Sequence, residues 1–167
     1  MAEQSQTDHD RQKVENLIAD IKVALLVTRG ADGKMSGRPM AAISNKFDGG
    51  LWFFSKDGSP KTGEVLHDNN VLLAYSEPRD QNYVSVSGQA EVVYDRAKIK
   101  ALWTEAARVW FPAGPEDPAI CLIHVSVESA EYWDAPSSAW VYAYGYAKAR
   151  LTGTPPRSPG DNKVVKF

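Results

Sequence analysis

Residues 36–66, SGRPMAAISNKFDGGLWFFSKDGSPKTGEVL, decide the fold. Arg38, Met40, Ala42 and Ser44 alternate with Pro39, Ala41, Ile43 and Asn45, the period of two that sends successive side chains to opposite faces of a strand. Asp48-Gly49-Gly50 is a tight-turn signal, because glycine takes the positive φ that hairpin turns need. Residues 51–55, Leu-Trp-Phe-Phe-Ser, then read as a short buried strand returning beside the first. Ser59 suits a helix N-cap and Pro60 the first helical position, where a missing N–H costs nothing. A helix starting there turns its free amides and the positive end of its dipole towards the preceding loop. Lys61 falls in its first turn, where a cation is unfavourable unless an anion is bound as well, and Arg38 on the neighbouring strand offers a bidentate contact to the same anion. The alternative is a solvated lysine and arginine beside an ordinary helix start.

Upstream, residues 1–7 are polar and expected to be flexible, with Thr7 as the cap of a helix whose Val14, Leu17, Ile18 and Ile21 share one face. Residues 23–28 form a buried strand, and the Gly30-Ala31-Asp32-Gly33 turn returns it as a hairpin with the Arg38 strand. Downstream, residues 71–77 and 83–94 are strands, the second interrupted by Gly88, where an isolated glycine signals a bulge or sharp bend. Asp95 caps a helix running to about Arg108, with Ile99, Leu102, Trp103 and Ala106 on one stripe. Prolines and glycine break residues 110–118, and 119–133 is a long strand with Ile123, Val125 and Val127 on one face. Residues 139–151 favour helix, since Trp140, Tyr144, Ala147 and Leu151 keep helical spacing before Gly153. A proline-rich linker from 154 leads to a short terminal strand at 163–167. Six or seven strands with peripheral helices make one mainly β (α+β) domain over 1–167, a small mixed barrel.

Net charge is −2 with no block of like charge, which gives no support to nucleic-acid or membrane-surface binding. No apolar run approaches the roughly 20 residues that span a bilayer, and the N-terminus lacks a signal peptide's apolar segment. The single cysteine, Cys121, forms no internal disulfide and fits a reducing cytoplasm; its apolar neighbours make it a buried thiol. Five tryptophans and seven tyrosines suit a barrel core, a ring-binding pocket or a dimer interface equally. The histidines, His9, His67 and His124, have no metal-ligand spacing, so no metal is expected. There is no nucleophile elbow, P-loop or dinucleotide glycine motif. No catalytic side chain is assigned; an enzyme built on this chain leaves the hard step to a cofactor.

Five segments in order, Arg38-Pro39-Met40, Leu51-Trp52-Phe53-Phe54-Ser55, Ser59-Pro60-Lys61, Tyr83-Val84-Ser85-Val86-Ser87-Gly88 and Glu131-Tyr132-Trp133-Asp134, resemble the pyridoxamine 5′-phosphate oxidase-like FMN-binding split-barrel family, more narrowly its bacterial general-stress-protein branch. The resemblance implies a split β-barrel and a homodimer with FMN at the two-fold interface. It implies that Arg38, Pro39, Met40, Phe54, Ser55, Ser59 and Lys61 hold the cofactor, with the ring along Pro39 to Ala41. Trp133 matches a tryptophan that reaches the flavin in the oxidases; its alternative is a barrel-edge or dimer residue. Trp110 and Phe111, in a broken loop, either cover a flavin edge or fill a dimer interface. Trp52, Phe53 and Phe54 are as readily core residues as flavin contacts, although Phe54 and Ser55 match the family's flavin-contacting pair.

One departure bears on activity. Where the oxidases carry a basic Arg-x-His-x-x-Arg-like segment for the substrate phosphate, residues 135–147 here contain no Arg or His. The resemblance therefore implies a cytoplasmic FMN-binding stress protein, a flavin-dependent oxidoreductase without the vitamin B6 reaction. The alternatives are a non-catalytic flavin-binding or sensing module, or a split barrel that uses F420 or haem in place of FMN.

Overall fold

A computed structural model describes residues 2–43, 49–134, 150 and 161–167. The expected 139–151 helix, but for residue 150, the 154–160 linker and Asp48 lie outside these. The described elements are helices α1 (Ala2–Ile21), α2 (Pro60–His67) and α3 (Arg96–Leu102), a 3-10 turn (Glu105–Val109), and seven strands. The strands are β1 (Val23–Arg29), β2 (Met35–Ala41), β3 (Gly50–Lys56), β4 (Asn70–Glu77), β5 (Asn82–Val93), β6 (Ile120–Asp134) and β7 (Asp161–Lys166). All pair antiparallel in the order β2-β1-β4-β5-β6-β3, and β7 joins β6 beyond β3 on the same edge. This is the small mixed barrel with peripheral helices that the strand pattern implies.

The expected β1–β2 hairpin forms, with Leu26 opposite Arg38 and Val23 opposite Ala41. Pairing of β2 with β3 does not form. These strands are the two ends of the path, and β3 instead pairs with β6, Ser55 facing Cys121. A local turn signal cannot compete with a ladder that runs the whole length of an apolar strand. The two ends meet where the Ile43 N–H donates to the Trp52 carbonyl at 2.9 Å, and β2 beyond that point keeps an unpaired edge among the described residues.

Inward side chains of the strands, such as Leu26, Phe53, Leu73, Val86 and Tyr132, fill the barrel, and Val14, Leu17 and Ile18 of α1 plug it. α1 starts at Ala2 rather than at Thr7. Its Asp10 pairs with Lys163, and Arg11 donates to the Lys166 carbonyl, tying the first helix to the last strand. A second cluster lies outside β3 and β6, where Ile99, Phe111, Ile120 and Leu122 cover the outward faces of Trp52 and Phe54.

Two other expectations change. The helix after Asp95, which does cap it by accepting from the Ala97 and Lys98 amides, ends at Leu102 instead of Arg108. Trp103 turns extended there, and its ring meets Phe54 edge-on with centroids 5.5 Å apart. Packing on β3 thus overrides the helical spacing. β1 is buried on one face only: Ala24, Leu26 and Thr28 point inward, while Val23 and Leu25 are 46% and 44% exposed. Gly88, however, marks a bulge as expected, since the β5–β6 register shifts between Ser87 and Gly88. A Cβ there would lie 2.1 Å from the Ser126 carbonyl oxygen.

Candidate functional site

α2 begins where Ser59 leaves the β3 end and Pro60 enters the first turn. The Ser59 side chain does not cap it. Its hydroxyl instead lies 3.3 Å from the Thr62 hydroxyl and 3.5 Å from that of Ser55, which is buried. The polar start of the helix is thus left without a side-chain cap. Lys61, half-buried in that first turn, has a pKa held below its ordinary value, chiefly by burial and then by the charge of Arg38. No carboxylate among the described residues offsets it.

Arg38 is not a free cation. Its Nη1 donates to the Thr28 hydroxyl at 2.6 Å and its Nη2 to Glu64 Oε2 at 2.7 Å, while the Thr28 hydroxyl donates to the same Glu64 oxygen at 2.5 Å. The three groups close a ring of hydrogen bonds linking β1, β2 and α2. The Thr28 bond, then the Arg38 bond and charge, outweigh burial and hold the Glu64 carboxyl below the ordinary carboxylate range. Neither Thr28 nor Glu64 was marked by a motif. The available signal was a hydroxyl at an inward position of the apolar run Val23-Ala24-Leu25-Leu26-Val27-Thr28.

The ten residues singled out from sequence separate into groups. Arg38, Ser55, Ser59 and Lys61 gather at the barrel end covered by α2. Pro39 and Ala41 point outward from β2, exposed, whereas Met40 turns into the main core. Phe54 is taken up by Trp103 and Phe111, so its side chain packs in the second cluster. Trp110, 75% exposed, is the neighbour of buried Phe111 on the segment that covers Phe54. Trp133 belongs to none of these. It pairs with Tyr83 at the far end of β6, twelve residues beyond Cys121, which faces Ser55. At about 3.3 Å of rise per residue that is roughly 40 Å of strand.

The outward face running from β2 through β1, β4 and β5 to the 129–134 end of β6, beyond the part of β6 that α3 covers, carries no buried helix contact among the described residues. It exposes Val23, Leu25, Met35, Tyr83, Trp133 and, on β7, Val164. A hollow on this face is lined by Arg29, Met35, Leu72, Ser87 and Glu128, and holds none of the ten residues. Among the described residues, no three His, Cys, Asp or Glu side chains converge, and no helix is long and apolar enough to cross a membrane.

A match to the family described as pyridoxamine 5′-phosphate oxidase like covers residues 9–157. The chain belongs to the pyridoxamine 5′-phosphate oxidase-like family. This family member is 26% identical over 157 residues to Protein bli-3 of Neurospora crassa, a match covering 86% of this chain and 75% of the relative. Its fold is similar to that of general stress protein 26 from Bacillus anthracis, with a TM-score of 0.66 at 23% identity, over 74% of this chain and 93% of that one. It is also similar to the general stress FMN/FAD binding protein from Xanthomonas citri, with a TM-score of 0.66 at 25% identity, over 75% of this chain and 89% of that one.

Proposed function

We propose that this pyridoxamine 5′-phosphate oxidase-like chain is an FMN-binding general stress protein, and a flavin-dependent oxidoreductase rather than a vitamin B6 oxidase. The observation that carries the reading is Lys61, a half-buried cation without a counter-ion among the described residues, beside an uncapped helix start. A phosphate fits both, because it accepts from the Lys61 amide, the Thr62 amide being bonded to the Ser59 carbonyl, and restores the charged lysine. Ser59, its hydroxyl released from capping, and Arg38 would join Lys61 in holding that phosphate, with Ser55 beneath them. The unpaired edge of β2 offers the Pro39 carbonyl and the Ala41 backbone groups to the polar rim of the ring, while those of Met40 face β1. Phe54 would contribute backbone and shape, and Met40 shape alone, since their side chains are packed in protein.

A bound flavin supplies the electron transfer; the chain binds and orients it. The homodimer is part of the reading. The apolar sheet face from Val23 to Trp133 is of the kind that marks a protein–protein interface. Trp133 and Trp110 are then readily understood as residues that one copy offers to the other's flavin. The place of action would be the cytoplasm.

The test is the visible spectrum of the purified protein, followed by titration of the cofactor-free protein with FMN, FAD and F420. Saturable binding of FMN, tighter than that of F420, supports the reading. Tight binding of F420 alone, or of no flavin, refutes it. Anaerobic addition of NADH or NADPH then separates an oxidoreductase, whose flavin band bleaches, from a sensing module, whose band persists.

A further inference from the structure

We propose that Thr28 and Glu64 are positioning residues for Arg38 in the anion site, and set how strongly that site prefers a phosphorylated flavin over an unphosphorylated one. This rests on the phosphate reading above. A lone arginine on an edge strand would be free to swing. Here the guanidinium is pinned from two sides by groups on different elements, at 2.6 Å by Thr28 on β1 and at 2.7 Å by Glu64 on α2. The donor count closes. The Thr28 hydroxyl has one hydrogen, which goes to Glu64 Oε2, and its lone pair accepts from Arg38. Glu64 Oε2 accepts twice, and these bonds hold the carboxyl below the ordinary range, so it is the ionised carboxylate that closes the ring. Arg38 is left with Nε–H and the second hydrogen of each Nη for a ligand.

The setting also favours a rigid ring. Thr28 is fully buried, and the side chains of Arg38 and Glu64 are 22% and 17% exposed. Arg38 is close enough to Lys61 for its charge to disfavour the charged lysine, so the two cations act on one volume. Glu64 compensates one of them. It allows two cations to be held together before any anion arrives, while its position on α2 couples the guanidinium to the helix that carries Lys61.

The test compares dissociation constants for FMN and riboflavin in the wild type and in Thr28→Val, Thr28→Ser, Glu64→Ala, Glu64→Gln and Arg38→Ala. The ratio of the two constants reads the phosphate alone. Thr28→Val keeps shape and charge but removes the hydroxyl, and should lower the ratio about threefold to tenfold, with riboflavin unchanged. Thr28→Ser should restore it. Glu64→Ala should lower it, and Glu64→Gln, which keeps an acceptor oxygen but loses the compensating charge, should lower it less than Glu64→Ala does. Wild-type ratios in both Thr28→Val and Glu64→Ala, beside a lost ratio in Arg38→Ala, would overturn the positioning role and leave the phosphate reading intact. A wild type that does not distinguish FMN from riboflavin would overturn both.

Discussion

Tyr83 and Trp133 face each other across the β5–β6 ladder on the outward side of the sheet, 39% and 37% exposed. They end a cross-strand row that includes Ser76 on β4 and, one step past the paired Ala24 and Tyr75, Val23 on β1 and Ala41 on β2. At about 4.8 Å between strands, Trp133 lies roughly 19 Å across the sheet from Ala41. Covering so wide an apolar face is work for another protein surface, and a second copy of this chain is the occupant proposed here.

Leu25→Asp tests that proposal directly. Leu25 is half-exposed, so the substitution spares the core, but it buries an unpaired charge if the face is covered. Light scattering should show a dimeric wild type and a monomeric variant with weakened flavin binding. A monomeric wild type that binds flavin would refute a site shared between copies.

Lys61 gives the site a pH signature. Its pKa is lowered, so between that value and the ordinary 10.5 the unfolded chain holds more protons than the folded one. Stability of the ligand-free protein therefore rises with pH through that window. Phosphate binding favours the charged lysine, so the FMN-over-riboflavin preference should fall as pH rises through the lowered value. It should fall on the acid side too, as the phosphate gains its second proton near pH ~6. Lys61→Arg should extend the alkaline limit, and an unaltered limit would separate Lys61 from the phosphate.

Gly88→Ala should destabilise the fold by about 1 to 3 kcal/mol, because a Cβ meets the Ser126 backbone instead of a side chain that can move away. Denaturant unfolding measures it. No loss would mean that the bulge can relax.

That bulge was legible in the sequence, as were the β1–β2 hairpin and the start of α2. Each depends on a residue with a local conformational role: Gly88, Gly33 and Pro60. What was not legible was set by distant partners. β3 pairs with β6, about seventy positions away in sequence, so the turn signal at Gly49 and Gly50 misassigned its neighbour. The break at Trp103 comes from Phe54, and no spacing between Asp95 and Arg108 announces it. Within the site, Ser59 and Lys61 could be read from the helix start. The engagement of Arg38 could not, because Thr28 and Glu64 come from separate elements and meet only in the folded barrel.

Pyridoxamine 5′-phosphate should not reduce the flavin-loaded protein at an enzyme-like rate. Its phosphate needs cations beside the ring, and residues 135–147 contain no Arg, His or Lys. Without them orientation is lost, which alone accounts for several kcal/mol of a barrier. The absorbance of bound flavin, followed anaerobically, should stay constant; rapid bleaching would contradict this.

The most direct measurement is the affinity of Lys61→Ala for FMN and for riboflavin against the wild type. Loss of a charge-assisted contact of about 1.5 to 3 kcal/mol should weaken FMN roughly 10- to 150-fold and leave riboflavin unchanged. Equal changes for the two ligands, or none for either, would contradict a phosphate held at the start of α2.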